Sequence, residues 1–172
     1  MTSRDDELGF ELLLGGSRFN DLDRAFFWNR FGDNPGAASK VEAWQMLSPV
    51  RGGLEGVDAL NRMIQERFRH RWRGLANAEG WKRTVPKPFG AQTILYGDKV
   101  INTINQKRRD VYPDPEGEAY IANGDLGIVV GQYKTKKFKG LPWKLEVEFA
   151  GQLGLKVRLR KRRVRRRGEE PA

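Results

Sequence analysis

Apolar residues recur at Val57, Leu60, Ile64 and Phe68, with Met63 widening the stripe, and this spacing predicts an amphipathic helix over residues 57–69. Asp58 in its first turn and Arg67, Arg69 and His70 near its end complement the helix dipole. Towards the other end of the chain the period changes to two. Leu145, Val147 and Phe149 alternate with Lys144, Glu146 and Glu148, which predicts a half-buried strand. The β-branched run Ile128-Val129-Val130 predicts a buried strand. Ahead of it, Asn123-Gly124 predicts a two-residue hairpin turn with both central residues at positive φ. Shorter signals fill the N-terminal half. GFELLL (9–14), stopped by Gly15-Gly16, predicts a strand, and WQML (44–47), stopped by Ser48-Pro49, predicts another. NDLDRAFFWNRF (20–31) predicts a short helix capped by Asn20 or Asp21, and residues 37–43 a turn or two of helix.

A strand, a glycine-rich loop and a helix in series make half of a βαβ unit, whose natural host is a parallel sheet. PKPFG (86–90) is a rigid connector, and from Thr93 onward short strands separated by turns imply a small barrel. The expected organisation is an α/β piece over residues 1–85, a β piece over 86–154 and a basic tail over 155–172.

The chain has 172 residues, 38% of them hydrophobic, with five tryptophans, which is enough for a packed core. No apolar run is long enough to span a bilayer and the acidic start, MTSRDDELGF, lacks a secretory pattern, so a cytoplasmic protein is expected. Without cysteine there are no disulfides or thiolate zinc sites, and His70 alone does not make a metal centre; it reads as a solvated residue in a basic helix. The net charge of +10 is concentrated: Lys156 to Arg167 holds nine basic residues and Glu169 and Glu170 follow, so the tail contributes +7. Such a block repels itself, is expected to be disordered, and binds phosphate backbones without reading sequence.

Two stretches carry a resemblance. AWQMLSPVRGGLEGVDALNRMIQERFR (43–69) resembles the opening of the second RecA-like motor domain of RecD-like, UvrD-related superfamily-one DNA helicases. PKPFG followed by GDKVI and NGDLG resembles the small SH3-like barrel inserted in that domain, and KGLPWKLEVEFAGQLG continues the similarity to about Gly154. The similarity is strong over 40–154 and weak over 9–39. It implies a parent enzyme that unwinds DNA with ATP and magnesium. This chain has no G-x-x-x-x-G-K-[ST] phosphate loop, so no cofactor is expected to bind here and no ATP turnover from this chain alone. The resemblance implies that the ATP-binding motor domain lies upstream and is the missing partner. The run LKVRLRKRRVRRRGEEPA departs from the family pattern, and reads either as a frame-shifted end or as a true basic tail.

The same resemblance implies a role for Ser48 and Arg51 in contacting a DNA phosphate or the missing domain; the plainer reading is a glycine turn with a solvated arginine. Lys99, Lys107, Arg108 and Arg109 on the barrel, and Lys134, Lys136, Lys137 and Lys139 beside Phe138 and Trp143, interleave charge with rings, as a groove tracking single-stranded DNA does. A soluble lysine-rich loop with Trp143 in the core fits those residues equally well. The Arg67–Arg73 run around Trp72 reads as solvated surface, and Asn123, Gly124 and Asp125 as turn structure. A stand-alone basic nucleic-acid-binding module, built on the barrel and the arginine tail, is the second function class.

Overall fold

In the computed structural model the described residues are 4–18, 24–78, 86–114, 116, 118–134 and 142–160, with the side chains of residues 4, 5, 133, 134, 142, 143 and 160 outside the description. Their order is α1 (Arg4–Leu13), β1 (Ser17–Arg18), β2 (Ala25–Phe26), a 3-10 turn (Ala37–Lys40), α2 (Val57–Phe68), α3 (His70–Asn77), β3 (Lys99–Ile101), β4 (Gln106–Arg108), β5 (Val111–Tyr112), β6 (Ala119–Ile121), β7 (Leu126–Lys134), β8 (Pro142–Phe149), a second 3-10 turn (Ala150–Gln152) and β9 (Lys156–Arg160). The fold is mixed α/β. Strands β3-β7-β8-β9-β5 form one sheet, β4-β6 and β1-β2 form separate two-stranded ladders, and every named pairing is antiparallel.

The helix over 57–69 forms as expected, as does the helical turn at 37–40. The strand expected at 9–14 is instead the end of α1. Its inward face is Leu8, Glu11 and Leu14, and a charged residue in that stripe disguises the helical period. The helix closes in a Schellman motif: the Gly16 N–H bonds Glu11 O at 2.9 Å and the Gly15 N–H bonds Leu12 O at 3.2 Å, with Gly15 at φ +96°. The helix expected over 20–31 is not formed by the described part of that stretch. Ala25–Phe26 is β2 and residues 27–30 have no regular structure, with Ala25 and Phe27 fully buried between more exposed neighbours. WQML forms no strand, and no parallel sheet is present among the described residues.

Two differences arise in the β region. Only Gly124 of the Asn123-Gly124 pair has positive φ, so the turn is not the type that continues two strands into a hairpin. The flanking strands diverge accordingly: β6 pairs with β4, and β7 with β3 and β8. The basic run does not begin as a disordered tail. Lys156–Arg160 is β9, inserted between β8 and β5, with Val157 fully buried; residues 161–172 lie outside the described residues. Chain composition thus changes at about residue 155, whereas the sheet continues to Arg160.

One face of the large sheet packs Val129, Leu145, Val147, Phe149 and Val157 against Ala119 and Ile121 of β6 and Val111 of β5. On the other face Ile128 and Val130 pack with Leu14, Phe27, Ala37, Ala38 and Val41. The N-terminal segment and the β region therefore share a core. Among the described residues no ladder closes the sheet on itself, since β3 and β5 remain its edges.

Candidate nucleic-acid interface

Register decides which charges meet. Tyr112, Lys156 and Glu148 align across β5, β9 and β8; Arg158 aligns with Glu146, and Arg160 with Lys144. The even-numbered residues of β8 and β9 therefore share one face. Glu146, 2% exposed, accepts from Arg158 at 3.0 Å, with Lys156 at 3.7 Å and Lys144 at 3.9 Å; Asp110 takes the other end of Arg158 at 3.2 Å. The Glu146 hydrogen bond holds the Arg158 pKa above its ordinary value. Lys156 and Arg158 lie 5.3 and 5.7 Å from the Tyr112 ring centroid. These interleaved signs lock β9 into the sheet and leave little unbalanced charge for a ligand.

Glu148 is fully buried, although strand alternation predicts a solvated residue. Its carboxylate accepts the N–H groups of Arg30 (2.8 Å), Ala38 (3.0 Å) and Gly154 (3.0 Å), so the N-terminal segment covers this face. A second buried set joins the helices to the β region. Arg69, 1% exposed, donates to Glu11 at 2.8 Å, to Asp98 at 3.2 Å and to the Tyr96 carbonyl. Glu11 also accepts from Trp72 Nε1 (2.6 Å) and the Ala25 N–H (3.0 Å), and Asp98 from Gln65 (3.1 Å) and the Leu95 N–H (2.9 Å). Burial raises the Glu11 and Asp98 pKa values despite the adjacent guanidinium, and raises Tyr96 to about 12. With their oxygens occupied and solvent excluded, these groups form a structural lattice. Arg69, expected on the solvated surface, sits at the break between α2 and α3, where φ −125° and ψ 20° turn its side chain inwards.

The residues expected to contact nucleic acid are dispersed. Ser48 Oγ donates to the Glu55 carbonyl at 2.7 Å, with the Val50 carbonyl 3.0 Å away, and so closes its own loop, while Arg51 is exposed. Around them Leu47 and Leu54 are 85% and 96% exposed. Lys99 is turned back onto Trp44, with Nζ 2.5 Å from its carbonyl and 4.9 Å from its ring, and partial burial lowers its pKa. Arg108 Nη2 donates to Gln106 at 2.6 Å, and its shielded Nε makes no hydrogen bond. Arg109 is exposed and pairs with Glu118 at 2.9 Å. Lys136 and Lys137 lie outside the described residues, as do the side chains of Lys134 at the end of β7 and Trp143 in β8.

One pairing of charge and ring that the sequence did not single out does assemble. Lys107 on β4 faces Tyr120 on β6, both are exposed, and alternation puts Arg109 on the same solvent side. His70 is exposed, and no cluster of metal-ligating residues occurs among the described residues. No helix among them is long and apolar enough to cross a membrane.

The chain matches no family model, no curated protein and no solved structure.

Proposed function

We propose that the chain is a C-terminal piece of an ATP-dependent DNA helicase, comprising part of a RecA-like second motor lobe with an SH3-like β insertion. In this reading it contacts a single DNA strand and the ATP-binding motor domain, and does not hydrolyse ATP itself. The nucleic-acid part is carried by the β4–β6 ribbon, where Lys107 lies opposite an exposed Tyr120 and the exposed Arg109 follows on the same side, charge for phosphate and ring for base. The interdomain part is supported by the 46–54 loop, whose exposed Leu47 and Leu54 lie in the stretch of closest resemblance; soluble proteins seldom leave clustered apolar side chains open unless a partner covers them. The purified chain is expected to bind a labelled single-stranded oligonucleotide in anisotropy measurements and to show no ATP turnover with that strand present. Turnover above a blank contradicts the assignment.

A second reading, a stand-alone basic nucleic-acid-binding module, is favoured by β9. The basic run begins inside the core sheet rather than as an appendage, as expected if the whole chain is one evolved unit.

A further inference from the structure

Burial alternates along the segment from Arg24 to Arg30, which contains β2. Ala25 and Phe27 are fully buried, whereas Phe26 is half-buried, Trp28 is 42% exposed and Arg30 is exposed. On the outward side the planar groups stack. The Arg24 guanidinium carbon lies 4.9 Å from the Phe26 ring centroid, and the Phe26 ring lies 5.7 Å from that of Trp28 at an interplanar angle of 16°. The order along the segment is cation, ring, ring, cation. Among the described residues neither Arg24 nor Arg30 forms an ion pair, and Arg24 Nε is shielded without a hydrogen bond.

The inward side fixes this array. Glu11 holds the Ala25 N–H at 3.0 Å, the Tyr96 hydroxyl both accepts from the Phe27 N–H (2.8 Å) and donates to the Phe27 carbonyl (2.9 Å), and Glu148 holds the Arg30 N–H at 2.8 Å. The Trp28 carbonyl accepts from the Ala37 N–H at 2.8 Å. Two buried carboxylates, from α1 and β8, and the partly buried Tyr96 ahead of β3 thus grip one seven-residue stretch by its backbone. Such preorganisation lets a ligand bind without first ordering the strand.

We propose that Arg24, Phe26, Trp28 and Arg30 form a stacking platform for a single nucleic-acid strand, with a base on the open face of Trp28 and phosphates on the two arginines. The inference rests on the nucleic-acid reading above and names a surface distinct from the β4–β6 ribbon. Charge complementarity selects a polyanion, and the ring stack between the cations selects one with exposed π-faces, which a single strand offers and a duplex or an acidic peptide does not.

The test uses the full chain, a labelled oligothymidylate and an abasic strand of equal length. Trp28→Ala is expected to weaken oligothymidylate binding roughly tenfold, within the range for loss of one base stack, and to leave the abasic strand unaffected. Trp28→Phe restores most of the loss. Should Trp28→Ala fail to fold by circular dichroism, Arg30→Gln on an exposed site is expected to weaken both strands and reduce the salt slope by about one. If Trp28→Ala binds both strands as the wild type does, or Arg30→Gln leaves the slope unchanged, the platform is wrong while nucleic-acid binding stands. An equal loss for both strands on Trp28→Ala also overturns it, because no base is then being stacked. If the wild-type chain binds neither strand, the reading beneath falls and the platform with it.

Discussion

Arg69 lies 2.8 Å from Glu11, at the junction of α2 and α3 in one case and on the inner face of α1 in the other, and both are almost completely buried. Asp98, in the turn that leads into β3, completes the triad at 3.2 Å. Three separate segments of chain are therefore joined through one guanidinium. Arg69→Leu leaves two buried carboxyl groups without their cation, and is expected to cost about 3–5 kcal/mol in urea unfolding. A loss below about 1 kcal/mol, the scale of an exposed pair, contradicts a buried structural role.

The triad also sets a pH dependence. Burial raises the Glu11 pKa above its ordinary 4.5, so the folded chain holds this proton more tightly than the unfolded chain. The resulting stabilisation is full below about pH 4.5 and is lost as pH rises through the raised folded value. Unfolding of the wild type and Glu11→Gln compared across this range is expected to show the wild type losing ground as pH increases. A wild type that gains ground instead shows that the attraction of Arg69 outweighs burial.

Glu148 makes a second prediction of a different kind. Glu148→Gln preserves size but replaces an acceptor of three backbone N–H groups with an amide, and about 1–3 kcal/mol is expected to be lost. Hydrogen exchange is expected to accelerate selectively at the Arg30, Ala38 and Gly154 amides. Uniform acceleration across the sheet contradicts the local anchoring role.

Much of this was beyond the reach of sequence pattern. The α2 stripe was legible because its apolar positions keep one period over three turns. The WKLEVEF strand was legible as a strand, but its glutamates read as solvated, since alternation reports a pleat and not what covers it. The burial of Glu148 comes from residues more than a hundred positions earlier, whose backbone N–H groups reach it, and Glu146 is met by Lys156 and Arg158 of β9. Arg69 was hidden within a run of arginines that reads as solvated surface, and Glu11 made a helix look like an apolar strand end. The Arg24–Arg30 array was missed because its aromatics, with Asp21 and Asp23 ahead of them, read as a helix. Local propensity was overridden there by tertiary contacts with Glu11, Tyr96 and Glu148. Of the expected contact residues, Arg109 stands on the exposed ribbon, where Lys107 and Tyr120 join it, whereas Lys99 had no sequence signal that it folds back on Trp44.

The β9 assignment changes how the basic end is dissected. A chain cut before Lys156 loses the strand between β8 and β5 and the buried Val157, so its cooperative unfolding transition is expected to disappear. A chain ending at Arg160 retains the described sheet and is expected to unfold within about 0.5 kcal/mol of the full chain, as for surface changes. Equal stability of the two shortened chains contradicts the place of β9 in the core.

The central claim is that the folded β unit, and not merely the arginine run, contacts nucleic acid. The most direct test is anisotropy of a labelled single strand with the chain ending at Arg160, alongside the same chain carrying Lys107→Gln and Tyr120→Ala. Retained binding by the shortened chain, weakened roughly ten- to a hundredfold by the paired substitution, is the predicted result. Binding that vanishes once residues 161–172 are removed, or that ignores Lys107 and Tyr120, contradicts it.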